Sequence, residues 1–197
     1  MGRPSVATER RAQILDAFRR CLVRDGLEGT SLEAVAKEAG IARSAVRHFV
    51  GNRDALLREA VVEFADAYRR DFEARVRTRP PEARIDALLA FLFGASFTRD
   101  HDAEDHAIEV LFAVARHDAD AREALRALYS DFVRLVTAEL RRAFRQAPAA
   151  RVRETAYAVV CLAEANATLD WLGLGARRTH DARRAATRLV EGLAAEG

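Results

Sequence analysis

Four basic side chains lie close together in residues 37–53. Lys37, Arg43, Arg47 and Arg53 share this stretch with one acidic residue, Glu38. Ammonium and guanidinium groups neutralise phosphate charges, and an arginine can also donate two hydrogen bonds to the edge of a guanine. The chemistry that the stretch offers is therefore nucleic-acid recognition. The alternative is a solvated charged surface, and the elements that carry these residues decide between the two.

The elements predicted for this region are two short helices joined by a tight turn. Thr30 is predicted to cap the first helix, with Glu33 completing a capping box. Gly40 is predicted to end it, because glycine accepts the left-handed backbone of a tight turn. The apolar face of this helix has helical spacing and consists of Leu32, Val35, Ala36 and Ala39.

The second short helix, at about 43–49, is predicted to bury Val46 and Val50. The side chains left to face outward are Arg43, Ser44, Arg47 and His48. This is the pattern of a helix-turn-helix, whose second helix enters the major groove of DNA.

The run AGIARSAVRHFVGNRDALL, which ends at Leu57, resembles the DNA-binding signature of tetracycline-repressor-like (TetR-family) regulators. The resemblance is specific over about residues 8–57 and architectural beyond them. It implies an all-helical homodimer in which residues 1–55 form the DNA-binding domain and 56–197 a ligand-binding and dimerisation domain. It also implies DNA contacts by Lys37, Ala42, Arg43, Ser44, Arg47, His48 and Arg53.

The chain departs from the family pattern at four positions. Ala42 stands where the family usually has Ser or Thr, and Arg47 stands where it usually has a phosphate-binding tyrosine. Val50 replaces the usual phenylalanine, and Arg53 replaces the usual lysine. A missing helix cap costs about 1 kcal/mol. The substitutions keep or raise the positive charge, so DNA binding is expected to persist, but a known operator sequence does not transfer.

Composition indicates a globular, mostly helical protein. The chain of 197 residues is 50% hydrophobic and 31% charged, with only 10 Gly and 4 Pro. The net charge of +2 is uneven, since residues 1–55 carry +3 and the remainder −1. We expect a cytoplasmic protein with no membrane partner, because neither a signal peptide nor a run of about 20 apolar residues is evident. Cys21 and Cys161 are both expected to be buried, reduced thiols.

The apolar periodicity predicts about nine helices and an all-α fold with an N-terminal helix-turn-helix domain. The first runs from about Thr8 to Arg24 and ends at Gly26; the fourth begins at the cap Asn52 and runs to about Arg77. Pro80 and Pro81 follow. Further helices are predicted at about 82–98, 103–117, 119–146, 150–174 and 180–195. The last two carry spare apolar surface, and the family resemblance favours a homodimer through them over ordinary intrachain packing.

Aromatic residues of the C-terminal region could line a cavity for a small apolar or amphipathic effector. The candidate residues are Phe91, Phe97, Phe112, Phe132, Glu164 and Trp171. The alternative is that these rings are simply core. Glu164, Asn166 and Asp170 interrupt an apolar helix and face ligand, partner subunit or solvent.

No catalytic constellation or cofactor motif is evident, so we expect neither an enzyme nor a cofactor. His106 and Glu109 have a spacing that a metal could use, but acidic residues at a helix start more often complement its dipole. We therefore expect no metal site.

The function predicted is a sequence-specific DNA-binding transcriptional regulator, a repressor that a small-molecule effector releases from its palindromic operator. Two alternatives stay open: a dimeric DNA-binding regulator without a ligand, and an α-helical carrier or enzyme. The sequence does not reveal the operator, the effector, or whether regulation is repression or activation.

Overall fold

The computed structural model describes residues 6–94, 112, 115–116, 118–174 and 178–194, without the side chains of Leu27, Phe64 and Trp171. Its α-helices are α1 (Val6–Gly29), α2 (Leu32–Ala39), α3 (Arg43–Val50), α4 (Arg53–Phe72), α5 (Arg84–Leu92), α6 (Ala119–Ala143), α7 (Ala149–Trp171) and α8 (Thr179–Glu191). A π-helical turn (Glu73–Arg77) follows α4, and a 3-10 turn (Pro81–Ala83) precedes α5. The described residues contain no strand, which confirms the all-α prediction. The predicted helix at about 103–117 lies almost entirely outside them.

The chain forms two compact units. The first contains Met1–Asp66 and Asp102–Leu128, and the second contains Ala67–His101 and Tyr129–Gly197. The first unit has a small core of its own, in which α1 packs on both α2 and α3. Ile14, Phe18, Val35, Val46 and Leu56 are at most 1% exposed there.

The core of the second unit is built from α5, α6, α7 and α8 together with the end of α4. Tyr68 packs edge-on against Phe91 and Phe132, with ring centroids 5.1 and 4.9 Å apart. Glu139 of α6 is 1% exposed, and its Oε1 lies 3.2 Å from Nε of Arg77 and also pairs with Arg142. A buried carboxylate is tolerated only with such partners.

Two predictions about single side chains were wrong. Thr30 does not cap α2: the N-cap is Ser31, whose Oγ accepts a hydrogen bond from the Ala34 backbone N–H, 3.1 Å away. Thr30 is buried instead and donates its hydroxyl to the Gly26 carbonyl at 2.7 Å. Cys161 is exposed, because α7 has apolar residues on several faces and the second unit covers only some of them.

Other helix ends follow the predicted signals, except that α5 ends at Leu92, short of the predicted end at about residue 98. The backbone leaves helical geometry at Gly26, with φ of +65°. Asn52 caps α4 by accepting the Ala55 backbone N–H on Oδ1 at 2.8 Å. The fourth helix reaches Arg77 as predicted, but its last turn is π-helical.

Candidate nucleic-acid interface

The turn between α2 and α3 fixes the direction in which α3 leaves. Gly40 adopts the left-handed conformation (φ +65°, ψ +32°), and the Ile41 N–H donates to the Ala36 carbonyl at 3.0 Å. These bonds satisfy carbonyls that the end of a helix would otherwise leave unpaired. Ala42 follows with an extended backbone (φ −67°, ψ 142°) and is the N-cap of α3, without a side-chain hydrogen bond.

Helix α3 has one buried and one exposed face. Val46 and Val50 are 0% and 3% exposed and anchor the helix to the first unit. The four residues predicted to face outward are all exposed, which confirms the predicted orientation; they are Arg43, Ser44, Arg47 and His48. An amphipathic helix of this kind presents hydrogen-bond donors on a rigid support.

The other predicted contact residues surround this helix in sequence. Lys37, in the last turn of α2, and Ala42 are both exposed. Arg53, at the start of α4, is partly buried. The assignment of DNA contacts to these residues stays a prediction.

Helix α1 supports the two short helices with polar contacts as well as with its apolar face. Arg20 Nε and Arg24 Nη1 each lie 2.8 Å from a different carboxylate oxygen of Glu38. Hydrogen bonds first from Arg24 and then from Arg20 hold the pKa of the Glu38 carboxyl below its ordinary value. The one acidic charge in residues 37–53 is thus paired with α1, which leaves the exposed face of α3 positively charged.

Two further contacts link α1 to the carboxyl ends of α2 and α3. Gln13 Nε2 donates to the Ala39 carbonyl at 2.7 Å. Arg11 Nε donates to the Phe49 carbonyl at 2.9 Å, and its Nη2 lies 3.0 Å from Oε1 of Glu59 on α4. Sequence reasoning missed these roles, because the paired residues are far apart in the chain and belong to no apolar periodicity.

Comparison with known proteins agrees with this geometry. The family model "Bacterial regulatory proteins, tetR family" matches residues 14–60, which run from the core of α1 through the helix-turn-helix into α4. The helix-turn-helix region, residues 14–60, is therefore of the tetR type.

The similarity to individual proteins covers less than half of the chain in sequence and nearly all of it in fold. The chain is 38% identical over 87 residues to the transcriptional regulator BetI of Burkholderia ambifaria, covering 43% of this chain and 44% of that protein. The chain thus spans less than half the length of the curated relatives it matches.

Two solved structures show the same fold over nearly the whole chain. A transcriptional regulator of Pseudomonas aeruginosa PAO1 superposes with a TM-score of 0.81 at 19% identity, covering 95% of this chain and 91% of that one. A regulator of Saccharomonospora viridis in complex with choline superposes with a TM-score of 0.75 at 15% identity, covering 93% and 96%.

The predicted effector-binding residues have different environments. In the second unit Phe91 and Phe132 are buried against Tyr68, and Glu164, half-buried on α7, accepts the Tyr129 hydroxyl at 3.3 Å. In the first unit Phe112 is 45% exposed. Phe97 and the Trp171 side chain lie outside the described residues. The effector pocket therefore stays a prediction.

The structure also shows the environments of Asn166 and Asp170, the other two polar residues predicted to interrupt the apolar helix α7. Asn166 is 6% exposed and donates from Nδ2 to the Thr179 hydroxyl at 3.2 Å, which joins α7 to α8. Asp170 is half-buried. The amide of Asn166 therefore has an intrachain partner.

Within the described ranges, no group of His, Cys, Asp or Glu side chains could hold a metal ion. His106 and Glu109, the pair with metal-like spacing, lie outside those ranges. None of the described helices is both long and apolar enough to cross a bilayer.

Proposed function

We propose that the protein is a homodimeric transcriptional repressor that binds a palindromic operator and leaves it when a small-molecule effector binds. The observation that carries the proposal is the two-faced helix α3, which is anchored by Val46 and Val50 and exposes Arg43, Ser44, Arg47 and His48. Residues 1–55 bind DNA, residues 56–197 bind the effector and the second subunit, and the protein acts in the cytoplasm, where bacterial DNA is found.

In this proposal α3 enters the major groove. Either Arg43 or Arg47 donates two hydrogen bonds to a guanine, and the other joins Lys37 and Arg53 on phosphates. Ser44 and His48 provide further donors and acceptors toward base edges, while Ala42 offers a methyl group. Two copies would read half-sites whose centres are about 34–36 Å apart, or a multiple of that distance.

Dimerisation is supported by an apolar stripe on α7. Tyr157, Leu169 and the following Leu172 are 62%, 45% and 56% exposed, and Cys161 and Ala165 lie between the first two at helical spacing. Leu189 on α8 is 42% exposed. Packing of α7 and α8 on the same helices of a second copy would remove this apolar surface from water.

An effector site in the second unit is supported by Glu164 and Tyr129, which place a carboxylate and a phenol side by side. Such a pair suits a cationic or hydroxyl-bearing amphipathic compound. The structural neighbour bound to choline makes choline the first compound to test. Addition of choline to the protein–DNA complex should release the duplex if choline is the effector.

The test of DNA binding starts from a duplex selected out of a random-sequence pool by the wild-type protein. Fluorescence anisotropy then gives the affinity for the selected duplex at several salt concentrations. Arg47→Ala should weaken binding about tenfold to a hundredfold if Arg47 reads a base, or lower the salt slope by about one if it holds a phosphate. Exposed Arg145, in the second unit, provides the control Arg145→Ala, which removes the same charge and should leave binding unchanged.

Failure of the pool to yield any enriched duplex would overturn the proposed function. Equal affinities of wild type and Arg47→Ala at all salt concentrations would remove α3 from the proposed interface.

A further inference from the structure

The carboxyl ends of α2 and α3 are both capped by side chains from a single turn of α1. Gln13 donates its amide to the carbonyl of Ala39, the last residue of α2. Arg11 donates to the carbonyl of Phe49, in the last turn of α3. Backbone carbonyls at helix ends have no partner within the helix, so each side chain supplies a donor that the helix itself cannot.

Arg11 is held by three elements at once. Its Nε bonds to α3, its Nη2 lies 3.0 Å from Glu59 of α4, and its own backbone belongs to α1. The positive guanidinium also lies at the negative end of the α3 dipole, which favours this position for a cation. Gln13 is fixed in turn by Arg10, whose Nη1 donates to Gln13 Oε1 at 2.7 Å.

We propose, on the basis of the function proposed above, that Arg11 and Gln13 are positioning residues for DNA recognition. They do not bind DNA but fix the orientation of α2 and α3 relative to α1, and Glu59 fixes Arg11. An arginine at the start of a DNA-binding domain would ordinarily be assigned to a phosphate. Here the guanidinium of Arg11 binds the Phe49 carbonyl and Glu59, which indicates a structural role within the protein.

The two interpretations of Arg11 predict opposite effects of removing Glu59. If Arg11 positions α3, Glu59→Ala loosens Arg11 and weakens binding to the selected duplex. If Arg11 binds phosphate, Glu59→Ala frees its guanidinium and removes a repelling carboxylate, so binding to every duplex tightens. Glu28→Ala removes an exposed carboxylate from the same unit and measures the charge effect alone.

Gln13→Leu is the cleanest variant because it changes no charge. Losing one neutral hydrogen bond should weaken binding to the selected duplex about fivefold, and Arg11→Ala should weaken it about tenfold. Affinity for a scrambled duplex of the same length should stay unchanged, as should the slope of log K against log salt for Gln13→Leu. A loss of folded protein would instead lower both affinities equally, and circular dichroism melting curves check folding directly.

The experiment compares wild type, Gln13→Leu, Arg11→Ala, Glu59→Ala and Glu28→Ala on both duplexes at four salt concentrations. Selective weakening by the first three variants supports the proposal, and if Arg11→Ala fails to fold, the other two carry the test. The proposal is overturned if Gln13→Leu binds the selected duplex like wild type, or if Glu59→Ala binds both duplexes more tightly than Glu28→Ala does. Absence of DNA binding by the wild type would instead count against the proposed function.

Discussion

Glu38 is the single acidic residue within the basic stretch 37–53, and its carboxylate links α2 to α1. It accepts hydrogen bonds from Arg24 and Arg20 on α1, and these hold its pKa below the ordinary value. Since the folded pKa lies below the unfolded value of about 4.3, the carboxylate stabilises the fold above that pH. The stabilisation is lost as pH falls through the lower, folded pKa.

We therefore expect Glu38→Gln to lower the melting temperature at pH 7, and we expect its difference from wild type to shrink on acidification, as pH falls through the folded pKa of Glu38. Circular dichroism melting curves of both proteins across this range measure the effect. The exposed Glu28→Gln is the control and should match wild type throughout. A gap between wild type and Glu38→Gln that stays constant down to the lowest pH would contradict the assigned cause.

Helix α3 lacks a side chain that caps its first turn. Ala42 has the extended backbone of an N-cap residue but no oxygen to accept a backbone N–H. Ala42→Ser should therefore raise the free energy of unfolding by about 1 kcal/mol, as measured by urea denaturation. Ala45→Ser introduces the same hydroxyl inside the helix, where it caps nothing, and should not stabilise the protein. If the two variants are equally stable, the hydroxyl introduced by Ala42→Ser does not cap α3.

The elements of the first unit were predictable because periodicity and helix-end signals agree there. Val46 and Val50 are buried and Arg43 and Arg47 exposed, as helical spacing requires. The wrong cap at Thr30 shows where such reasoning stops. Ser31 and Thr30 are both good caps by residue type, but in the structure Ser31 caps α2 and the Thr30 hydroxyl bonds to the Gly26 carbonyl instead.

The contacts that orient the candidate interface were not predictable in the same way. Arg11 and Glu59 are 48 positions apart, and nothing local to either residue indicates the pairing. Arg77 and buried Glu139 likewise form an ion pair across 62 positions of the chain. The position of a helix can be predicted largely from its own residues. The hydrogen bonds that fix the angle between two helices join residues far apart in the chain, so they depend on the whole fold.

At the scale of the whole molecule, the proposed function requires two copies of the chain. A single helix-turn-helix contacts only a few base pairs, and a symmetric pair doubles the site and sets the half-site spacing. A stable interface needs about 800 Å² from each partner. The exposed stripe of α7, which includes Tyr157, Cys161 and Leu169, is a continuous apolar surface on which such an interface can form.

The two cysteines allow this interface to be tested by thiol chemistry. Cys21 is 0% exposed, and burial raises the pKa of its thiol, so it should react slowly. Cys161 is exposed in the single chain and should become covered if α7 packs on a second copy. The reaction of Cys161 with a thiol reagent should therefore slow as protein concentration rises.

Leu169→Glu places a charge in the same stripe, two helical turns from Cys161. We expect this variant to be a monomer in sedimentation velocity, because a buried unpaired charge destabilises the interface. Its Cys161 should react with the thiol reagent at a fast rate that does not depend on protein concentration. Val62→Glu, at a residue of α4 that is 58% exposed, is the matched control and should remain dimeric with a protected thiol. A Leu169→Glu protein that stays dimeric and keeps Cys161 protected would place the subunit interface elsewhere. Loss of operator affinity in Leu169→Glu alone would in turn tie dimerisation to DNA binding, because a monomer presents only one α3 to the palindrome.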